Sequence, residues 1–318
     1  MKKLRVVLVV LLGLGLVVKF GLLTARSLPE KARFSLDLAA LRQAAGPQEA
    51  GPVSAHAEKV ADQKFPGPLV VSGSAFEKLT FGFFGWQLAY ADGSSAVLDP
   101  VNARPDSPPS DFTYDDAAWA HQEAAIAHAS VIAVTHEHYD HLGGATQSAH
   151  FDTFGAKLKL TEAQRRKLPV SGVARDLSGP ATLESGPEGS LHPVAPGVVA
   201  VTAAGHTPGS QMLYVRLASG AELLLIGDIA WQEQTLEKER TRARLVSLIM
   251  REDDEAIVHQ LRAIKDFHQA NPGVDVVVAH DIPAMERRFQ SGAVGKGFIE
   301  VKPVAPAEPP PPAAAPSP

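Results

Sequence analysis

Thr135-His136-Glu137-His138-Tyr139-Asp140-His141-Leu142-Gly143-Gly144 is the stretch that decides the fold. Within it His136, His138, Asp140 and His141 stand as His-x-His-x-Asp-His, four side chains able to bind a metal within six residues. Imidazole and carboxylate together are the ligand set that zinc favours at catalytic positions. Alternate residues of an extended segment point the same way. His136 and His138 are therefore expected to grip one metal, while a turn at Asp140-His141 swings two ligands towards a second.

Three later segments give this motif its context. Gly205-His206-Thr207-Pro208-Gly209-Ser210, Leu223-Leu224-Leu225-Ile226-Gly227-Asp228 and Val276-Val277-Val278-Ala279-His280-Asp281 each close an apolar, β-prone run on a His or an Asp. A buried strand that delivers a ligand at its tip has this pattern, because the run fixes the backbone and the tip faces a cleft.

With these motifs in this order the chain resembles the metallo-β-lactamase superfamily, over roughly residues 76–290. The resemblance implies an α/β fold, the four-layer αββα metallo-β-lactamase sandwich. Position by position it gives His136, His138 and His206 to a first metal, Asp140, His141 and His280 to a second, and Asp228 as the carboxylate bridging both. Asp99, closing Ala96-Val97-Leu98-Asp99-Pro100, matches the superfamily's Asp that orients a ligand histidine. Its alternative is a turn-forming Asp before Pro.

The ligand set narrows the branch. True β-lactamases of the superfamily lack the bridging Asp and carry Cys or Ser in that part of the site. Asp228 looks like the hydrolase branches: lactonases, glyoxalase II-like thioesterases, and RNase Z or phosphodiesterase relatives. Flavodiiron oxidoreductases have Glu where this chain has His138, which disfavours redox chemistry. His141 to His206 is 65 positions, His206 to Asp228 is 22 and Asp228 to His280 is 52, spacings similar to those of acyl-homoserine-lactone lactonases. Those lactonases use a Tyr three residues after the bridging Asp to touch the substrate carbonyl. Here Trp231 stands there, and an indole donates one hydrogen bond but cannot ionise. Tyr139 is the candidate stand-in, with packing beneath the metals as its alternative, so Tyr139 and Trp231 are the candidate substrate-pocket residues.

The cofactors implied are two divalent metal ions, zinc foremost, with manganese or iron compatible with the same ligands. Two metals about 3.5–4 Å apart can share a hydroxide whose pKa falls towards neutrality, a nucleophile that needs no Ser, Cys or Lys. The expected reaction is attack of that hydroxide on a lactone or related carboxylic ester, with Asp140 taking and returning the proton. Phosphodiester or thioester hydrolysis is the alternative within the fold. A non-catalytic envelope module, its metals only stabilising the fold, is the alternative from another class. Retention of all seven ligands speaks against it, because catalytic sites keep an open coordination position that a structural role does not require.

Composition agrees with one folded catalytic domain and tells little about its substrate. The chain has 318 residues, 45% hydrophobic and 20% charged, with net charge −5 and pI about 6.2. No Lys/Arg cluster interleaved with aromatics occurs, which excludes the electropositive surface that nucleic acid requires. The densest basic stretch, Lys238 to Arg244, is mixed with Glu and reads as a solvated helix face.

At the N-terminus, Met1-Lys2-Lys3-Leu4-Arg5 precedes an apolar run of 13 residues, Val6 to Val18. A signal-peptide core needs about 7–15 apolar residues and a spanning helix about 20. Residues 1–26 are therefore expected to be a signal peptide or an N-terminal membrane anchor that exports the chain to the cell envelope or periplasm. Leu23-Thr24-Ala25 is a poor small-x-small cleavage site, and Lys19 can snorkel while Phe20 to Ala25 completes an uncleaved anchor. Cysteine is absent, which excludes a lipid-modified cysteine, thiolate ligands and disulfides.

Between these features the chain divides into residues 27–68 as a tether or peripheral segment, 69–300 as the catalytic domain and 301–318 as a Pro/Ala-rich disordered tail. Helices are expected at Ser35–Ala45, Tyr114–His128, from Thr161 to Leu168, Thr241–Met250 and Asp254–Ala270. Strands are expected at Lys78–Phe84, Trp86–Tyr90, up to Asp99, Ser130–Thr135, Val198–Ala204, Gln211–Leu217 and Ala221–Ile226. Ile257, Leu261 and Ile264 recur at helical spacing as core, and the helix ending at Met250 is the expected pocket wall. His121, His128, His259 and His268 read as surface residues.

Overall fold

A computed structural model describes residues 18–166, 177 and 182–301, together with residues 11, 13 and 15. The first half contributes strands β1 (Ser54–Pro66), β2 (Lys78–Ala89), β3 (Ser95–Leu98), β4 (Phe112–Tyr114), β5 (Val131–Ala133) and β6 (Leu158–Lys159). The second half adds β7 (Leu191–Ala195), β8 (Val198–Thr202), β9 (Gln211–Arg216), β10 (Glu222–Leu225), β11 (Val274–Val277) and β12 (Gly295–Lys296). One sheet runs β12-β1-β2-β3-β5-β6, with β4 on the same edge of β1 as β12; the other runs β11-β10-β9-β8-β7.

The helices of seven or more residues are α1 (Leu38–Ala45), α2 (Asp116–His128), α3 (Tyr139–Gln147), α4 (Arg244–Met250), α5 (Asp254–Ala270) and α6 (Ile282–Ser291). Aspartates open four of them: Asp37, Asp115 and Asp253 each accept two backbone N–H bonds of the first turn and Asp281 accepts one, satisfying donors the helix itself leaves free.

Side-chain alternation sorts the residues into layers. On β3, Ala96 and Leu98 face the second sheet and pack with Ala200, Leu213 and Leu225, whereas Val97 faces outward onto Ala125 and Ile126 of α2 and Leu142 of α3. On β9, Leu213 and Val215 fill the space between the sheets, while Met212 and Tyr214 face α1 and α5 through Leu41, Leu261 and Ile264. The order is helices, sheet, sheet, helices, the αββα sandwich. A one-residue slip of either strand would turn its apolar set to the wrong layer, so the register is tightly specified.

Three sequence expectations are corrected. Residues 27–68 are not a tether: Ser54–Pro66 is the longest strand, paired along its whole length with β2, and Leu41 of α1 is fully buried in the core. Lys78–Phe84 and Trp86–Tyr90 are one strand rather than two. Gly85 between them continues the ladder opposite Glu58, and glycine is needed because a Cβ there would meet Gln122 Oε1 of α2 at 2.5 Å. The basic stretch Lys238 to Arg244 is not a solvated helix face. Lys238 ends a six-residue helical turn, Glu239 has φ +52°, and Thr241, Arg242 and Ala243 are buried.

Elsewhere the differences are at ends. Thr161 caps a single helical turn, Glu162–Arg165, in a reciprocal capping box with Gln164; Leu168 lies outside the described residues. The Pro/Ala-rich segment from 302 onward and most of residues 1–17 also lie outside them. Among the described residues no helix is long and apolar enough to cross a membrane.

Candidate metal centre

The seven candidate ligands come from four chain segments and converge at one end of the sandwich. His136 and His138 follow β5, and the turn expected at Asp140 and His141 is the first turn of α3, with His138 as the helix N-cap. His206 follows β8, Asp228 sits in the 3-10 turn Gly227–Ile229 after β10, and His280 follows β11. Two groups form: His136, His138, His206 and Asp228, and Asp140, His141, Asp228 and His280, each with its ligand atoms within 4.8 Å of one another.

Asp228 belongs to both groups, one oxygen to each. Its Oδ2 lies 3.2 Å from His206 Nε2 and 3.8 Å from His136 Nε2. Its Oδ1 lies 3.1 Å from His280 Nε2 and 3.2 Å from His141 Nε2. In the first group, His138 Nδ1 stands 3.0 Å from His136 Nε2 and 2.9 Å from His206 Nε2.

The far side of most of these rings is held. His141 Nδ1 donates to Asp99 Oδ2 at 2.9 Å, His206 Nδ1 donates to Glu252, and His280 Nδ1 donates to the Gly82 carbonyl at 3.0 Å. Each bond fixes the tautomer and leaves Nε2 with its lone pair turned to the centre. Asp99 also accepts from Thr135 N at 2.5 Å and Thr135 Oγ1 at 2.8 Å, with its backbone at φ +45°. That conformation is uncommon outside glycine and is held by these three bonds.

The donor set fits divalent cations. His141 Nε2 is buried and has no hydrogen-bond partner, an orphan that a cation would satisfy. Burial and neighbouring imidazoles hold His136 well below the ordinary histidine range and bring His138 down to about 4, so both rings are neutral, the form that ligates. Burial opposes ionisation of Asp228, but His280, His141, His206 and His136 outweigh it and hold the carboxylate well below its usual range. Burial likewise works against charge on His141, but Asp99, Asp228 and Asp140 together raise its pKa above the normal value, a demand for positive charge that a cation on Nε2 would meet in the proton's place.

Three supporting residues carry no recognisable motif. Glu137, buried between the first two histidines, accepts from Thr207 Oγ1 at 2.7 Å and Gly209 N at 3.0 Å, clamping the turn that presents His206. Glu252 bonds His206 on one side and Arg242 Nε at 2.8 Å on the other. Arg242 also donates to the Asp228 carbonyl at 2.6 Å, and its guanidinium lies 4.1 Å from the Trp231 ring centre. The only sequence signal for Glu137 was its place inside the motif. Glu252 and Arg242 are far from every ligand in sequence.

The two pocket candidates line a cavity of about 520 Å³ above the ligands, but their polar atoms are engaged. Trp231 Nε1 donates to Asp228 Oδ2 at 2.8 Å. The Tyr139 hydroxyl donates to the Ala103 carbonyl at 3.2 Å and accepts from Gln147. The walls are apolar, with Phe65, Phe81, Phe83, Phe112, Val246 and Met250, and no Lys or Arg among the lining residues. Asp140 and His138 are the ligands least buried, Asp140 with 27% of its side chain exposed.

No protein-family model matches the sequence, and no curated protein matches it. Solved structures do resemble it. A quorum-quenching N-acyl homoserine lactone lactonase is 14% identical with TM-score 0.56, over 74% of this chain and 95% of that one. A quorum-quenching N-acyl homoserine lactone hydrolase is 14% identical with TM-score 0.57, over 74% and 96%. A probable metal-dependent hydrolase from Staphylococcus aureus is 13% identical with TM-score 0.54, over 73% and 90%. The likeness is one of fold: this chain has the metallo-β-lactamase fold, as its motifs imply.

Proposed function

We propose that the protein is a metal-dependent hydrolase of a neutral lactone or carboxylic ester with an apolar acyl group, and that it works with two divalent ions, zinc foremost. The observation that carries this reading is that four of the seven candidate ligands, His138, Asp140, Asp228 and His280, face a cavity of about 520 Å³ whose walls are mainly aromatic and aliphatic. A phosphodiester would find no Lys or Arg among the lining residues to meet its charge. An acyl chain finds apolar surface throughout. The solved lactonase and hydrolase of the same fold agree with this substrate class.

When bound, a metal pair supplies Lewis-acid polarisation and a hydroxide available near neutral pH. The chain's own residues do the rest. Asp99, Glu252 and the Gly82 carbonyl lock three imidazoles in one tautomer, so the site is organised before substrate arrives. Asp140, open to the cavity and 3.7 Å from His280 Nε2, is placed to accept a proton from the attacking water and return it to the leaving oxygen. Phe81 stacks on the His280 ring at 5.2 Å and, with Phe83, keeps bulk water off the ligand side of the cavity.

The test uses the full chain, metal-analysed and offered a long-chain acyl homoserine lactone, an aryl ester, a thioester, a phosphodiester and a β-lactam. Turnover of the lactone or ester, lost in Asp228→Ala together with bound metal, supports the proposal. Two bound metals with no turnover on any substrate would establish a binding module instead. Preference for the phosphodiester, thioester or β-lactam would overturn the substrate class.

A further inference from the structure

We propose that the mouth of the cavity docks on a lipid bilayer, through the exposed side chains of α4 next to the point where the N-terminal apolar run joins the domain. Ile249 lines the cavity and is nevertheless 72% exposed, so it stands at the rim. Leu248 next to it is 66% exposed. Two adjacent large aliphatic side chains turned outward from a buried framework are an unusual use of surface in a water-facing protein.

The partner follows from where the N-terminal run ends. Val6 to Val18 is apolar and follows Lys2, Lys3 and Arg5, a composition suited to lipid with an anionic surface. The segment that ends it, Val18–Leu22, forms a helical turn that packs beside α4. The chain after it is built into the domain. Ser72 Oγ donates to the Leu23 carbonyl at 2.8 Å and accepts from Ala25 N at 2.9 Å, and Ser27 pairs with Arg240 across an isolated β-bridge. The loop that carries Ser72 also carries Phe76, 89% exposed.

The apolar run therefore ends, at Val18, beside the helix that carries Leu248 and Ile249. If the run enters a bilayer, α4 is brought against the same bilayer, and the cavity opens to lipid rather than to bulk water. Arg240 and Arg251, both exposed and flanking this region in sequence, suit the anionic headgroup layer. A substrate with an acyl chain would then pass from the bilayer past Ile249 into the aromatic walls. This route rests on the hydrolase reading; the docking does not.

The absence of cysteine makes a direct test clean. Full-length Leu248→Cys, Ile249→Cys and, at the far end of the second sheet, Ser219→Cys are each labelled with an environment-sensitive fluorophore. The labelled chains are placed in vesicles of phosphatidylethanolamine and phosphatidylglycerol carrying a lipid-borne quencher. The expected result is quenching and a blue shift at positions 248 and 249 but not at 219, with no substrate present. Quenching at none of the three, as when a second copy of the chain covers the patch or the N-terminal run is cleaved away, overturns the proposal. Leu248→Glu supplies the second measurement. It is expected to weaken vesicle binding about ten-fold and slow cleavage of a vesicle-borne ester, while cleavage of a short soluble ester is unchanged. Equal loss on both esters would remove the bilayer route, and the fluorophore result would still stand or fall by itself.

Discussion

Trp231 donates its indole N–H to Oδ2 of Asp228 at 2.8 Å, the oxygen that also faces His206 and His136. The only donor of the indole is thus spent on the carboxylate shared by the two His/Asp groups, and the ring serves that cluster before it serves any substrate. Phe81 packs edge-on against it at 5.3 Å and Arg242 lies over it, so the orientation is fixed from both sides. Trp231→Phe keeps most of the packing and removes the bond. It is expected to lower metal affinity by about 10–100-fold, as loss of a ligand's hydrogen-bond partner does elsewhere. Competition with a chromogenic chelator measures this, and unchanged affinity would remove Trp231 from the role.

Arg242 and Glu252 form a buried pair, with 3% and 0% of their side chains exposed. Arg242 and His206 together outweigh burial and hold Glu252 ionised, its pKa brought down to about 2. Removing Arg242 leaves the buried Glu252 charge with His206 as its remaining partner, and loss of a buried ion-pair partner costs about 3–5 kcal/mol. Arg242→Met is expected to destabilise by that amount in urea unfolding. Adding Glu252→Gln to it should recover part of the loss, because no unpaired charge is then left. Two purely additive losses would contradict the pairing.

The residues that gather in the candidate metal centre were legible in the sequence because metal chemistry restricts residue types and short spacings preserve them. His136, His138, Asp140 and His141 sit within six residues, and His206, Asp228 and His280 each close an apolar run. Asp99 was legible through its place at the end of β3. Arg242 and Glu252 were not: Arg242 lies in a stretch whose mixed charges look solvated, and only the fold brings it under Trp231. The first strand was hidden for a related reason. Ser54–Pro66 contains Glu58, Lys59, Asp62 and Lys64, and its burial depends on β2, which is apolar along nearly its whole length.

Gly144 closes the first motif where the helix α3 presses on the loop after β3. A Cβ there would meet the Val101 carbonyl oxygen at 2.2 Å and that of Pro100 at 2.6 Å, and the Gly144 N–H donates to the Pro100 carbonyl at 3.0 Å. Neither backbone oxygen can move aside cheaply. Gly144→Ala is expected to destabilise by about 1–3 kcal/mol and to lower metal content, because the same helix carries Asp140 and His141 in its first turn. Thermal unfolding and metal analysis check both, and a variant with native stability would show that the loop yields.

Far from the metals, Arg42 of α1 holds Glu222 of β10 through two bonds, Nε to Oε1 at 2.8 Å and Nη2 to Oε2 at 2.7 Å, and Tyr214 donates to the same carboxylate. The Arg42 bonds lower the pKa of Glu222, against the opposing effect of burial. A carboxylate depressed in the folded state contributes stability that is present above its unfolded pKa, about 4.3, and is lost as pH falls through the folded value. Half of the Arg42 side chain is exposed, so solvent screening keeps the contribution modest, about 1–2 kcal/mol near neutral pH. Glu222→Gln is therefore expected to be less stable than the native chain by that margin at neutral pH, and the two are expected to converge as the pH is lowered below the ordinary carboxylate range. Urea unfolding of both chains across that range reads the difference directly, with the titrations of the metal site common to both. A gap that does not narrow in acid would mean that the carboxylate's charge is not what ties α1 to the second sheet.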